Sequence, residues 1–299
     1  MIKKGISLLG IFFLSALSLL PLPILYILAD GSYLLLYHIF GYRKKVVREN
    51  LLNAFPGKAR SEIVAIEKRY YRYLATLIFE VVKMTTISKQ EIRKRFVFKN
   101  TALAERYLEN GRSVLFCSAH YGNWEWGTIG IGLNFSGSHY PIYKPLSNPV
   151  FDIWFRKIRS RFGNNMVPMR QTMRALTLSK DGPTSFSFGN DQSPARDESL
   201  YWTTFLNQPA AIQLGIEKIA KKTNRPIFYL RVRVLKRGYY EVECVPLCLN
   251  PRETEKFEIT EMHTRFLEGI IRQEPAYWLW SHRRWKHKPS PRTLVAQAN

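Results

Sequence analysis

The sequence predicts an α/β fold, in which helices flank a mixed central sheet, with an N-terminal hydrophobic helix that anchors the chain to a membrane. Short apolar runs of the kind found in buried strands alternate with segments of helical periodicity. Two neighbouring strand-like runs, PIFYLRVRVL and YYEVECVPL, are separated only by Lys236, Arg237 and Gly238, which predicts a hairpin within the sheet. The chain begins with an uncharged stretch long enough to cross a bilayer.

This hydrophobic stretch covers residues 5–29, GISLLGIFFLSALSLLPLPILYILA. A bilayer core takes about 20 apolar residues, but Pro21 and Pro23 disfavour one straight helix. Both a kinked spanning helix and a hairpin-like element dipping into one leaflet fit, whereas ILADGS is a poor cleavage site for a signal peptide. The basic segment GYRKKVVREN follows and favours a cytoplasmic location for the rest. We therefore predict an anchor over residues 1–42 and a cytoplasmic domain over 43–299.

The charge balance is strongly basic, with 45 Lys and Arg against 23 Asp and Glu and a formal net charge of +22. Such an excess favours an anionic partner, which is either nucleic acid or an anionic lipid surface. The hydrophobic N-terminal segment favours the lipid surface and weakens the nucleic-acid alternative. Hydrophobic residues make up 46% of the chain, which indicates a packed protein and excludes a disordered one. Its 3 cysteines are too few and too dispersed for a disulfide framework or a paired zinc motif.

The remaining elements follow from hydrophobic periodicity and from capping residues. Apolar residues near helical spacing predict a helix from Ser61 to Thr85, and a second one is expected from Thr101 to Glu109. The continuous apolar run SVLFCSA predicts a buried parallel strand. After it we expect a helix at WEWGTIGIGL, a strand at HYPIYK, a helix opened by Asn148 and Pro149, a strand at TSFSFGNDQ, a helix from Ala211 to Thr223 and a last helix from Glu258 to Arg272.

The stretch CSAHYGNWEW carries the most informative polar residues, and it follows the predicted buried strand. Gly122 gives the backbone freedom to turn, and Asn123 can cap a helix that begins at Trp124. Glu125 would then lie in the first helical turn, where the macrodipole favours its ionised form. From there we expect its carboxylate to accept a hydrogen bond from His120, fixing the tautomer of the imidazole and raising its basicity. Such a pair suits removal of a proton from a substrate hydroxyl or amine.

Other chemistries fit this stretch less well. A metal site needs a second His or Cys at helical spacing, and none is near. A serine hydrolase needs a nucleophile elbow such as G-x-S-x-G, which this sequence lacks. Cys117 or Ser118 beside His120 could act as a nucleophile, but both lie in the apolar run and are better explained as packed strand positions. The substrate itself should therefore attack. Site residues are expected where strands end, and Asp191 lies at another such end.

Four segments in order, GRSVLFCSAHYGNWEW, YPIYKPLSNPVFD, SFGNDQS and YWLWSHRRWK, resemble the lipid A biosynthesis acyltransferases, the late lauroyl and myristoyl transferases of Gram-negative bacteria. These belong to the glycerophosphate and lysophospholipid acyltransferase superfamily, which is marked by H-x4-D/E. The resemblance covers nearly the whole chain. It implies an acyltransferase-type α/β sandwich that needs no metal and no cofactor. The implied reaction moves a fatty acyl chain from acyl carrier protein to a hydroxyl of an acylated glucosamine disaccharide, at the cytoplasmic face of the inner membrane.

The resemblance also implies roles for individual residues. His120 would be the general base and Glu125 its orienter. Lys144 stands where the family more often has arginine; it cannot make a bidentate contact but can stabilise an oxyanion or hold one phosphate oxygen. The NDQ segment matches an acidic position of the family, so Asp191 and Gln192 are predicted active-site residues, with Asp191 holding Lys144 or a substrate hydroxyl.

The remaining expectations concern the oxyanion and the anionic partners. Backbone N–H groups near Gly122 and Asn123, or Lys144, would hold the tetrahedral oxyanion. Basic residues are predicted to contact acyl carrier protein, the lipid A precursor or anionic lipids of the inner membrane: Arg156, Lys157, Arg159 and Arg161 in one group, Arg283, Arg284 and Lys286 in another. Two alternatives stay open: an acyltransferase for a lysophospholipid or aminolipid with acyl-CoA or acyl carrier protein, and a non-catalytic basic protein that binds membranes or nucleic acid.

Overall fold

A mixed sheet lies at the centre of the computed structural model, which describes residues 2–179, 182–195 and 200–289. The strands are β1 Phe96–Lys99, β2 Val114–Ser118, β3 Ser138–Tyr143, β4 Val167–Pro168, β5 Thr184–Gly189, β6 Leu200–Phe205, β7 Gln208–Gln213, β8 Ile227–Lys236 and β9 Tyr239–Cys248. Within the described residues the 7-stranded sheet has the order β1-β9-β8-β2-β5-β3-β4, and β6 and β7 form a separate antiparallel pair. Adjacent strands of the 7-stranded sheet are parallel, except for β8 and β9, which form an antiparallel hairpin.

Helices flank this sheet, which confirms the predicted α/β class with a mixed central sheet. They are α1 Ile2–Ser18, α2 Leu22–Leu34, α3 Lys44–Ala54, α4 Arg60–Lys83, α5 Lys89–Arg95, α6 Ala102–Glu109, α7 Trp124–Asn134, α8 Pro149–Arg159, α9 Thr172–Leu178, α10 Gly215–Thr223 and α11 Glu258–Gln273. A π-helical turn, Leu35–Ile39, continues α2. Three short 3-10 turns lie at Met169–Gln171, Pro251–Glu253 and Pro275–Tyr277.

The helices and strands that the sequence predicted are present, with one clear exception in where a helix starts. The Asn148 side chain caps α8 by accepting from the N–H groups of Val150 and Phe151, as predicted. The helix expected from Ala211 was wrong at its start, because residues up to Gln213 belong to β7 and α10 begins at Gly215. Leu206 and Asn207 both have positive φ, and this tight turn folds β7 back onto β6.

The strand β2 is the middle of the sheet and explains where polar residues gather. Its first four side chains are all buried, as expected for a strand with parallel neighbours on both sides and helices above and below. β5 lies beside β2 in parallel register, with Ser118 opposite Gly189. Because both strands end at the same edge, the residues that follow them, including His120 and Asp191, enter one common region.

The N-terminal helices carry apolar side chains on their free faces and polar contacts on the others. The break between α1 and α2 falls at residues 19–21, where the prolines predicted an interruption. Among the described residues one helix, Leu22–Ile39, is long and apolar enough to cross a membrane. The exposed apolar residues of this N-terminal segment include Ile6, Leu8, Leu9, Phe12, Phe13, Leu19, Ile24, Ile27, Leu28, Leu34, Leu35 and Ile39. Leu25 and Ala29 of α2, by contrast, are fully buried in the core.

Candidate active site

The imidazole of His120 and the carboxylate of Asp191 meet at the ends of β2 and β5. His120 Nδ1 lies 2.7 Å from Asp191 Oδ1, and the backbone N–H of His120 donates to Oδ2 over 3.0 Å. Gly189 leaves room for the ring, because a Cβ there would lie 3.3 Å from His120 Cε1. The second ring nitrogen, Nε2, forms no hydrogen bond with any residue that the structure describes. It is therefore the nitrogen available to a substrate.

Asp191 is buried and has a third donor, the indole of Trp278. Trp278 Nε1 donates to Asp191 Oδ2 over 2.8 Å. The chain around Trp278 also runs beside the His120 turn, since Leu279 N donates to the His120 carbonyl over 3.1 Å. Asp191 was predicted to hold Lys144 or a substrate hydroxyl; within the described residues its carboxylate instead accepts hydrogen bonds from His120 and Trp278, and none from Lys144. The contact with Trp278 was not predicted, although Trp278 lies in the segment YWLWSHRRWK, one of the four that carry the family resemblance.

The surroundings raise the pKa of His120 and lower that of Asp191. Burial by itself would lower the pKa of the imidazole, but the charge and hydrogen bond of Asp191, with the nearby charge of Glu125, outweigh it. Burial would raise the pKa of Asp191, and the interactions with His120 and the Trp278 indole overcome that effect. Both directions stabilise an ionised carboxylate beside an imidazole that binds a proton readily. This is the arrangement that a general base requires.

Glu125 does not orient His120, and this corrects the sequence-based assignment. Its carboxylate forms a bidentate ion pair with Arg159, with Nε to Oε2 at 2.8 Å and Nη2 to Oε1 at 2.5 Å. As the second residue of α7, Glu125 directs its side chain towards α8, which ends at Arg159. A guanidinium matches both carboxylate oxygens at once, which a single imidazole nitrogen cannot do. The charge interaction with Arg159 overcomes burial and keeps the pKa of Glu125 below its ordinary value.

The prediction that Arg159 is a surface contact for an anionic partner was consequently wrong. Its side chain is only 18% exposed, its Nε and Nη2 both donate to Glu125, and its guanidinium lies over the Phe155 ring at 5.0 Å. Arg156 and Lys157, on the same helix, are exposed and keep the predicted surface position. Helical spacing therefore places Arg156 and Lys157 on the exposed face of α8 and Arg159 on the face that packs against α7.

The turn after His120 is held by contacts that also change the oxyanion assignment. Gly122 has a φ of 56°, and a Cβ at this position would come within 2.5 Å of Val232 Cγ1, so only glycine fits. Its N–H donates to the carbonyl of Tyr277 over 3.0 Å. The prediction that this N–H stabilises an oxyanion was therefore wrong. Asn123 caps α7 as predicted, through a 2.9 Å hydrogen bond from Trp126 N to its Oδ1.

The other predicted site residues fall into exposed and buried positions. Lys144 and Arg283 are exposed, and neither forms a hydrogen bond or ion pair within the described part of the chain. Gln192 follows Asp191 and is partly buried. Arg284 was predicted to contact an anionic partner, and that was wrong, because it is only 2% exposed. Its Nη2 donates to the Ala211 carbonyl over 2.8 Å, and burial lowers its pKa to about 10.

The buried side of the site explains the position of Arg284. Arg284 lies over the ring of Phe205 at 5.6 Å, in a cluster with Trp278 and Trp280, so these tryptophans belong to the core rather than to a membrane belt. A small cavity of about 10 Å³ is lined by residues that include Arg284, His263 and Asp191. Burial lowers the pKa of Arg284, and the charge of Asp191 partly opposes that effect.

Comparisons with known proteins point to one family. The model of the family described as "Bacterial lipid A biosynthesis acyltransferase" matches residues 1–287. A lipid A biosynthesis acyltransferase of Haemophilus influenzae is 22% identical over 275 residues, covering 91% of this chain and 85% of the relative. The lipid A biosynthesis lauroyltransferase of Escherichia coli K12 is 22% identical and covers 94% of this chain and 91% of its own. The palmitoleoyltransferase of the same organism is 21% identical, with coverage of 90% and 87%.

Proposed function

Because this chain belongs to the bacterial lipid A biosynthesis acyltransferase family, and is therefore an acyltransferase, we propose that it transfers a fatty acyl chain from acyl carrier protein to a hydroxyl of an acylated glucosamine disaccharide. The observation that carries the catalytic part of this proposal is the 2.7 Å contact between His120 Nδ1 and Asp191 Oδ1. That contact fixes the tautomer in which Nε2 is unprotonated and free to accept a proton.

The reaction needs one proton acceptor and no acyl-enzyme. His120 Nε2 takes the proton of the acceptor hydroxyl, which we assign to the 3-hydroxyl of a fatty chain already on the sugar, while the oxygen attacks the thioester carbonyl. The C–S bond of the tetrahedral intermediate then breaks, and the departing sulfur receives the proton back from His120. Asp191 stabilises the imidazolium between these two steps.

The residues around this pair have supporting parts in the proposal. Glu125 and Arg159 hold the start of α7 against the end of α8, and the charge of Glu125 adds to that of Asp191 in favouring protonated His120. With the Gly122 N–H engaged by Tyr277, the backbone N–H of Asn123 and the ammonium of Lys144 are the remaining candidates for the oxyanion. Donors of this kind are each worth about 3 kcal/mol in the transition state.

Exposed basic residues support an anionic protein or phosphate partner. Arg156 and Lys157 line an open groove of about 440 Å³ together with Ile153 and Asn165. This combination of positive charge and an exposed apolar side chain suits acyl carrier protein, which is acidic and carries an acyl chain. Arg283 is a second exposed cation for the phosphorylated disaccharide or for anionic lipid.

The N-terminal helices support attachment to one leaflet of the inner membrane, with the catalytic part on the cytoplasmic face. Ser7 of α1 accepts a hydrogen bond from Asn148 over 2.9 Å, and Lys83 donates to the Ser18 carbonyl over 2.8 Å. In α2, Asp30 pairs with Arg237 at 2.9 Å. A helix tied to the catalytic part along its length presents only its free apolar face to lipid. Of the two shapes that the sequence allows, these ties favour the one that dips into the membrane.

Mass spectrometry of lipid A tests the proposal directly. We expect cells that lack this protein to lose one secondary acyl chain, and expression of the wild-type chain to restore it. His120→Ala should fail to restore it and should lower kcat of the purified enzyme by about a thousandfold, since general-base catalysis typically contributes 10²–10⁴-fold. Unchanged lipid A in the deletion strain, or turnover supported by acyl-CoA alone, would refute the assigned donor and acceptor.

A further inference from the structure

Glu80 of α4 is a fully buried carboxylate that receives three side-chain hydrogen bonds. Tyr26 OH donates to Oε1 over 3.0 Å, while Asn123 Nδ2 and Tyr240 OH donate to Oε2 over 2.7 and 2.6 Å. These donors come from α2, from the turn after β2 and from β9, so one side chain joins three separate parts of the fold to α4. Within the described residues no Lys or Arg forms an ion pair with it.

On one side Glu80 contacts the turn that follows His120. Asn123, which donates to Glu80, is also the N-cap of α7 and accepts from Trp126 N over 2.9 Å. Trp126 returns to the same residue, because its indole Nε1 donates to the Glu80 carbonyl over 3.0 Å. The carboxylate and the carbonyl of Glu80 therefore both hold the first turn of α7. That turn starts four residues after His120 and carries Glu125.

On the other side Glu80 holds Tyr26, which lies on the apolar helix α2. Arg237 covers the Tyr26 ring at 4.6 Å, donates to the Tyr26 carbonyl over 3.0 Å and pairs with Asp30. Gly238 is required beside the phenol, because a Cβ there would lie 2.0 Å from the Tyr26 hydroxyl. Tyr26 is therefore fixed on three sides, and its hydroxyl has one position.

Burial of the Glu80 carboxyl group in the core is energetically unfavourable compared with burial of an apolar side chain. Burial raises the pKa of Glu80 to about 7 even though its three hydrogen bonds act in the opposite direction. Apolar residues of similar volume usually serve stability as well as or better than buried charged groups do. What a fully hydrogen-bonded polar group adds is a single geometry for the elements that it joins.

We propose that Glu80 is a positioning residue for acyl transfer: through Asn123 it fixes the turn that follows His120, and through Tyr26 it links that turn to the membrane-facing helix α2. The inference rests on the proposed function, because its measurement is acyl transfer. It assigns to α2 a second task besides anchoring, since displacement of Tyr26 would free one oxygen of the carboxylate that holds Asn123.

Substitution of Glu80 can be compared with a matched control on the same helix. Glu67 is also a fully buried glutamate of α4, but it pairs with Arg48 of α3 and does not touch the turn after His120. Glu80→Gln keeps the shape and replaces one acceptor by a donor. We expect its kcat to fall on the order of 10- to 100-fold with little change in KM. A small displacement of the His120 base weakens proton transfer in the transition state and leaves substrate binding in the ground state unchanged. Glu67→Gln should lose stability and keep its kcat.

A double-mutant cycle distinguishes positioning from simple destabilisation. If Glu80 acts through Asn123, then Asn123→Ala should lower kcat by a similar factor, and the double variant Glu80→Gln/Asn123→Ala should be no slower than the slower single variant. Multiplicative losses would overturn the proposed route through Asn123. A kcat of Glu80→Gln equal to that of Glu67→Gln would overturn the proposal as a whole.

Two conservative variants keep the test decisive if Glu80→Gln does not fold. Tyr26→Phe and Tyr240→Phe each remove one donor and leave the carboxylate in place. We expect each to lower kcat several-fold at unchanged KM, and wild-type kcat in both would refute the inference. A wild-type enzyme that transfers no acyl chain to the disaccharide would instead refute the proposed function, so the two failures are distinguishable.

Discussion

Two buried carboxylates lie at the active site, and they differ in the kind of partner that each one has. Asp191 faces an imidazole, which gains and loses a proton near neutral pH. Glu125 faces a guanidinium, which stays charged throughout the accessible range. The first pair can change its protonation state during a reaction, whereas the second pair is a fixed ion pair. Under the proposed function, this difference places proton transfer at the strand ends, and the ion pair between α7 and α8 holds the two helices together.

The two pairs should also differ in what they contribute to stability. Removing one member of a buried ion pair leaves the other charge uncompensated and costs about 3–5 kcal/mol. Loss of the Asp191 carboxylate should cost less stability, because His120 can then become neutral. Substitutions at the two carboxylates should therefore separate into one that acts mainly on kcat and one that acts mainly on the free energy of unfolding.

Of the substitutions at the two carboxylates, Asp191→Asn is expected to have the larger effect on catalysis. The amide would donate to His120 Nδ1 and so stabilise the tautomer that has its proton on Nε2, the nitrogen required as base. We expect kcat to fall by about a hundredfold or more, with a small change in the free energy of unfolding. Steady-state kinetics and urea denaturation measure the two effects.

A buried carboxylate away from the site provides the control for this variant. Glu217 accepts hydrogen bonds from Thr260 N and Oγ1 over 2.9 and 2.6 Å. Glu217→Gln should therefore change stability and leave kcat near the wild-type value. If Asp191→Asn retained wild-type kcat, Asp191 would not be the orienter of His120.

Glu125→Gln should show the reverse pattern, with a smaller loss of kcat and a larger loss of stability. We expect the free energy of unfolding to fall by about 3 kcal/mol, because Arg159 is left charged and largely buried. The double variant Glu125→Gln/Arg159→Met should recover part of that loss, as measured by urea denaturation. A loss of kcat larger than that of Asp191→Asn, without destabilisation, would return the role of orienter to Glu125.

The sequence located the site more reliably than it assigned the partners within it. A buried apolar run followed by polar residues marked the ends of β2 and β5, so His120 and Asp191 were both placed correctly at strand ends. Their contact depends on β2 and β5 being neighbours in register, which is a long-range property of the sheet. Glu125 is close to His120 along the chain, but the helix directs its side chain elsewhere, so proximity in sequence was misleading.

Basic residues were the second point at which sequence patterns did not suffice. A run of Arg and Lys usually marks a solvated face, yet Arg159 and Arg284 are buried and hold a carboxylate and a carbonyl, respectively. Their partners come from elements distant in sequence, and the pattern of charges alone does not show them. Glu80 was missed for a related reason, because a single acid in the apolar face of a helix is visible only as a break in the pattern.

The dependence of the reaction on pH is the finest test of the comparison between the two pairs. His120 must be neutral to act as base, and its pKa is raised, so kcat/KM should rise with pH along a limb that lies above the ordinary histidine value of about 6.5. Asp191→Asn removes the larger favourable charge and should move this limb to lower pH, and Glu125→Gln should move it in the same direction by less. The same raised pKa affects stability, because protonated His120 stabilises the folded state. Its contribution to the free energy of unfolding is complete below the pKa of His120 in the unfolded chain and is lost as pH rises through its pKa in the folded protein. A limb that moved further in Glu125→Gln than in Asp191→Asn would contradict the assignment of Asp191 as the closer partner.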